Sequence, residues 1–158
     1  MKLFSLMLAP AVLAVALSVN FVNSAATYND TLSGSQTAAP ESEGIAVNLT
    51  AAGDLPGMIK LRLVRSETNV TGGAWSMTIL PANADASSNE RGTLNGTVSG
   101  GTLTLNENGT LASASAVQIT IQSGAGEFAS VTSGTATIDV TANAENPSQL
   151  NGTLVLNF

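Results

Sequence analysis

Neither cysteine nor histidine occurs anywhere in the 158-residue chain. The first absence rules out disulfides, a thiol nucleophile and thiolate metal sites. The second removes the commonest general base, the commonest metal ligand and the usual pH switch. Charge is also scarce: 10% of residues are charged, five basic against eleven acidic. Beyond Lys2 the cations are Lys60, Arg62, Arg65 and Arg91. So few cannot neutralise a phosphate backbone, and nucleic acid is not an expected partner. Aromatics make up 4%, which leaves few platforms for stacking sugars.

Little catalytic chemistry survives these absences. Serine and threonine are plentiful, but no imidazole is present to activate them. Lys60 is the one lysine after Lys2. It alternates with Ile59 and Leu61, so it points to solvent rather than toward a serine. Glu41, Glu43, Glu127 and Asp139 read as solvated surface acids rather than a hydrolytic carboxylate pair. Asn106-Glu107-Asn108-Gly109 resembles a fragment of a calcium loop but lacks the terminal bidentate glutamate, and a hairpin turn explains it better. Six Asn-x-Thr triplets, at Asn29, Asn48, Asn69, Asn95, Asn108 and Asn151, follow from a chain rich in both residues. No catalytic residue, metal ligand or cofactor is expected.

One long apolar run exists, and it lies at the start. Lys2 is followed by Leu3 to Leu17, nearly all apolar, then by Asn20, Asn23 and the small residues Ser24-Ala25-Ala26. A basic start, an apolar core and a small-residue site make a secretory signal peptide, with the cut expected after Ala26. Ser18 and Asn20 interrupt the run before the roughly 20 residues a membrane helix requires. The absence of cysteine excludes a lipoprotein anchor. The mature chain is then 132 residues (158 less the 26 of the leader), one domain by length. No second run of spanning length follows, so no helical membrane span is expected in it. Losing Lys2 takes the net charge from −6 to −7.

What the mature chain does have is period-two alternation. Residues 27–44 are small and polar and read as a flexible lead-in, with a short strand near Thr31 to Ser33. From Ile45 onward each run pairs an apolar face with a Thr/Ser/Asn/Gln face: Ile45, Val47, Leu49; Ile59, Leu61, Leu63; Trp75, Met77, Ile79; Val117, Ile119, Ile121; Ala136, Ile138, Val140; Leu154, Leu156, Phe158. This is the pattern of half-buried antiparallel strands. Turns are expected at Gly53 to Gly57, around Gly72-Gly73, over Pro81 to Asn89 and at Asn108-Gly109, where positive φ at both residues makes a tight hairpin. Asn95-Gly96 and Asn151-Gly152 lie inside apolar runs and read as bulges. A single β domain over residues 45–158 results, closed as a barrel or folded as a two-sheet sandwich; both manage exposed strand edges.

The stretch Ser123-Gly124-Ala125-Gly126-Glu127-Phe128-Ala129-Ser130-Val131-Thr132-Ser133-Gly134 resembles the glycine-rich, aromatic-containing segment of dirigent-like and allene-oxide-cyclase-like barrels, a type found among secreted bacterial proteins. Gly100 to Leu105 and Ala116 to Gln122 fall where those families place the preceding strands. The resemblance implies an antiparallel up-and-down β-barrel of about eight strands, with room for one small apolar ligand. It implies no catalytic residue.

The expected function is that of an exported, non-enzymatic β-barrel that binds a small hydrophobic molecule or serves as an envelope module. The alternative is a surface or extracellular-matrix interaction protein on a β-sandwich. Trp75, Met77, Phe128 and Phe158 are the bulky groups expected to line an interior ligand site, and simple core packing is their plainer role. The terminal alternation to Phe158 is similar to the last strand of outer-membrane barrels, but the strands are shorter and aromatic girdles are missing. Mass spectrometry of exported protein is expected to find the N-terminus at or near Thr27. An intact Met1 to Ala26 in the folded product would sink the leader assignment.

Overall fold

A computed structural model describes residues 25–37, 44–82 and 89–158. The expected leader, except Ala25 and Ala26, lies outside the described residues, as does the middle of the Pro81 to Asn89 loop. Eight strands follow in order: β1 (Thr27–Thr37), β2 (Ile45–Gly53), β3 (Gly57–Ser66), β4 (Asn69–Ile79), β5 (Gly92–Leu105), β6 (Leu111–Gly126), β7 (Gly134–Ala142) and β8 (Gln149–Asn157). Each pairs antiparallel with its neighbours in sequence, and β1 pairs with β8 to close the barrel. No helix occurs among the described residues. Closure excludes the two-sheet sandwich.

The alternation read from the sequence decides which side faces in. Val47, Leu61 and Trp75 are register partners on β2, β3 and β4, with Gly96 next on β5. Leu49, Ile59, Met77 and Leu94 form the adjoining row. Val117, Ile138 and Leu154 do the same on β6, β7 and β8. All of these apolar side chains are buried. An eight-stranded barrel is just wide enough for its side chains to fill, and the large Trp75 faces Gly96, which has none. Most outward positions carry Thr, Asn, Ser or Gln, whereas β3 presents Met58, Lys60, Arg62 and Val64. That is the reverse of a transmembrane barrel, whose apolar face is outside.

The lead-in expectation is corrected. Residues 27–37 are an eleven-residue strand that holds β2 on one side and β8 on the other. The inward set is Asp30, Leu32, Gly34 and Gln36, so one aliphatic residue alone marks the apolar face. Gly34 is needed because a Cβ there would overlap the Asn48 carbonyl. Gln36 acts as a backbone surrogate. Its Nε2 donates to the carbonyls of Leu111 (3.3 Å) and Pro147 (3.0 Å), and its Oε1 accepts from the Leu111 N–H (2.6 Å). These bonds tie β1, β6 and the β7–β8 turn together across one barrel end.

Two turns also differ from expectation. The β3–β4 turn falls on Glu67-Thr68, with Glu67 itself at φ 55°. Gly72-Gly73 lies within β4 beside a register shift between Val64 and Arg65, and a Cβ on Gly73 would overlap the Arg62 carbonyl. At Asn108-Gly109 the hairpin is present, but Gly109 alone carries positive φ, at 80°. The Asn108 carboxamide accepts from the Thr110 N–H (3.1 Å) and hydroxyl (2.6 Å), which holds a wider loop. Asn95-Gly96 is a register shift against β6, as expected of a bulge, whereas Asn151-Gly152 stays in regular register on both sides.

Asp30 is the one charged side chain among the buried residues described. Its Oδ1 accepts from the Leu55 N–H (2.9 Å), drawing the β2–β3 loop inward so that Leu55 seals this end. Its Oδ2 is buried without a partner. Burial raises the Asp30 pKa above its ordinary value; the Leu55 N–H opposes this, and Asp54 adds to it. A raised acid disfavours the folded state once ionised. Its cost is therefore full above the folded pKa, declines as pH falls below that value, and is gone below the ordinary carboxylate pKa of the unfolded chain. Asp30→Asn keeps the acceptor without the charge. In urea unfolding its stability gain over wild type is expected to be largest at pH 7 and to shrink on acidification. A difference independent of pH would refute the assignment.

Candidate functional site

The end of the barrel where β1 begins and β8 finishes gathers three of the four aromatics that follow the leader. The local cause is the glycine-rich stretch. β6 ends at Gly126, whose φ of 65° is a left-handed conformation that costs glycine nothing. The chain then turns through Glu127 to Ser130, closed by Ala129 N–H to Gly126 O (3.2 Å) and Val131 N–H to Phe128 O (2.9 Å). This swings Phe128 back beneath the barrel, where it is 8% exposed. Gly124 and Gly92 clear its path. A Cβ on Gly124 would overlap the Phe128 carbonyl, and one on Gly92 would lie 3.2 Å from its ring.

The Phe128 ring meets Phe158 edge-on, with centroids 6.1 Å apart and planes at 84°. Phe158 in turn stacks on Tyr28 at 5.1 Å and 26°. Such pairs add about 0.5–1.5 kcal/mol each beyond area burial. The Arg91 guanidinium lies 5.7 Å from the Phe128 centroid, and its Nε donates to Glu127 Oε2 at 2.8 Å. That exposed ion pair contributes little to stability, but it fixes the direction of Glu127. Between these groups is a pocket of about 530 Å³, with Tyr28, Phe128, Val131 and Phe158 as its apolar side. Ser130, Thr132, Ser133, Asn157 and Glu127 supply polar atoms around it. Its volume falls within the usual range for small-molecule sites.

The four expected site residues therefore separate. Phe128 and Phe158 come together at the barrel end. Trp75 and Met77 sit in the packed core at 2% and 0% exposure, on rows that neighbouring strands fill. The Trp75 indole N–H is buried with no acceptor, a cost of about 1–3 kcal/mol that close packing of its large ring offsets. Sequence reading missed Tyr28, hidden in what resembled a lead-in, and Arg91, which sits just before β5. The scarcity of aromatics was the usable signal for Tyr28.

No protein-family model matches the chain, and no curated protein or solved structure matches it.

The arrangement makes the glycines a backbone requirement. Gly126→Val puts a β-branched residue at φ 65° and its Cβ against the Arg91 carbonyl and Gly92 Cα. The variant is expected to lose more than about 1 kcal/mol in chemical denaturation. An unchanged unfolding midpoint would refute the role given to this glycine.

Proposed function

We propose that the chain is an exported, non-enzymatic β-barrel, of the dirigent-like type, that receives a small molecule with a flat apolar face at the end where β1 begins and β8 finishes. The observation that carries this reading is the convergence of Tyr28, Phe128 and Phe158 on a pocket of about 530 Å³ with polar groups at its rim. The aromatic faces supply apolar contact, and the comparable polar surface around them supplies orientation, the two elements small-molecule sites combine. The side chains that fill the barrel explain why the ligand sits at the end rather than in the interior. Binding without catalysis fits a pocket whose acid is engaged by Arg91 in a chain that lacks histidine. Export rests on the leader.

Indole and methyl β-glucoside are suitable probes, one a flat aromatic and the other a sugar with one apolar face. Titration followed by amide NMR is expected to concentrate shifts at Tyr28, Phe158 and residues 127–134. Phe158→Ala, with its fold verified by melting, is expected to weaken the better probe at least tenfold. Scattered shifts with both probes would refute the site.

A further inference from the structure

We propose a second binding site, on the outer wall of the barrel, for an acidic carbohydrate chain. The charge distribution points to it first. Among the described residues, Asp139 on β7 is the one acid at an outward strand position. Asp54, Glu67, Glu90, Glu107, Glu127 and Glu145 all lie in turns and loops, and Asp30 faces in. Lys60 and Arg62, by contrast, both project outward from β3, two of the four cations of a mature chain whose net charge is −7. Among the described residues the acids other than Asp139 thus sit at the barrel ends, while Lys60 and Arg62 sit together on one side of the wall.

Geometry makes this side a site rather than a scattered surface. A depression of about 480 Å³ crosses the wall here, with Lys60, Arg62, Asn48, Asn95 and Gln122 standing around a largely apolar floor that includes Ala46 and Ala74. The register explains its shape. Asn48, Lys60, Ser76 and Asn95 are successive partners on β2, β3, β4 and β5. They form one polar row across four strands spaced about 4.8 Å apart. In the next row Arg62 has Ala46 and Ala74 on its two sides. Those methyl groups leave the floor low beside the guanidinium.

The residue types select the ligand. Lysine and arginine recognise carboxylates or other acid groups, arginine through a planar two-point fork. Asparagine, glutamine and serine match the donor and acceptor pattern of sugar hydroxyls. A phosphate polymer would call for more cations and fewer amides. The trough runs across the outer wall, open to solvent, which suits a segment of an extended chain rather than an enclosed small molecule. This site shares no residue with the aromatic pocket and does not depend on it.

Affinity electrophoresis of the purified protein through gels containing polygalacturonate, dextran or duplex DNA tests the proposal. Retardation by polygalacturonate alone is expected, and it should vanish between 0.05 and 0.5 M NaCl as screening lengths shorten. The pair Lys60→Gln and Arg62→Gln is expected to lower the affinity at least tenfold with an unchanged circular dichroism spectrum. Should the pair fail to fold, Lys60→Gln by itself is expected to lower it at least threefold. Absence of retardation at low salt, equal retardation by dextran or by DNA, or unchanged affinity in the folded variants would each overturn the proposal.

Discussion

The pairing of β1 with β8 is the contact on which the remaining structure depends. Nine residue pairs, from Thr27 with Asn157 to Ser35 with Gln149, join the two ends of the sheet. Without them β1 and β8 would be open edges with unpaired backbone groups, prone to pair with other chains. The inward rows would also lose their enclosure, because Leu154 and Leu156 are covered from one side by β1. Ala26 extends this ladder by exchanging backbone hydrogen bonds with Phe158 (2.9 and 3.2 Å). The expected cleavage bond, Ala26–Thr27, therefore lies where the barrel closes.

A closed, filled barrel confines function to its ends and its outer wall. The ends are built differently. At one, Gln36 replaces ladder hydrogen bonds and ties β1 to β6 and to the β7–β8 turn. At the other, Leu55 and Phe128 fold inward from loops, one held by Asp30 and the other by the glycine-rich turn. The second arrangement leaves polar loop atoms beside aromatic faces, so it is the end suited to a ligand. The buried, half-satisfied Asp30 carboxyl and the unpartnered Trp75 indole are polar groups retained in an otherwise aliphatic interior. Both have their unpaired atom offset by packing rather than by a partner.

The wall follows a different logic. Period-two alternation sends every second residue outward, and most of these are neutral hydroxyls and amides, with Met58 and Val64 the large apolar exceptions. The same alternation accounts for the Asn-x-Thr triplets other than Asn108-Gly109-Thr110, which lies in the β5–β6 turn. In Asn48-Leu49-Thr50 the asparagine and threonine share the outer face while the leucine points into the core. Against so uniform a wall, Lys60 and Arg62 stand out.

From Ile45 onward the strands, their inward faces and the polarity of the exterior were legible in the alternation, because a side-chain period of two transmits face directly from sequence. Trp75 and Met77 could be placed on the inner face but not distinguished from ligand-lining residues, since packing density is a property of all eight strands at once. β1 was read as no more than a short strand near Thr31 to Ser33 because its inward positions hold Asp30, Gly34 and Gln36, whose roles exist once β2, β6 and β8 are in place. Barrel against sandwich was likewise open, because both use the same alternating strands and differ in whether the first meets the last. The aromatic pocket joins Tyr28 to Phe128 and Phe158 over a hundred residues of chain. Local pattern reports which way a side chain faces; which distant side chains share that space is settled by register and closure.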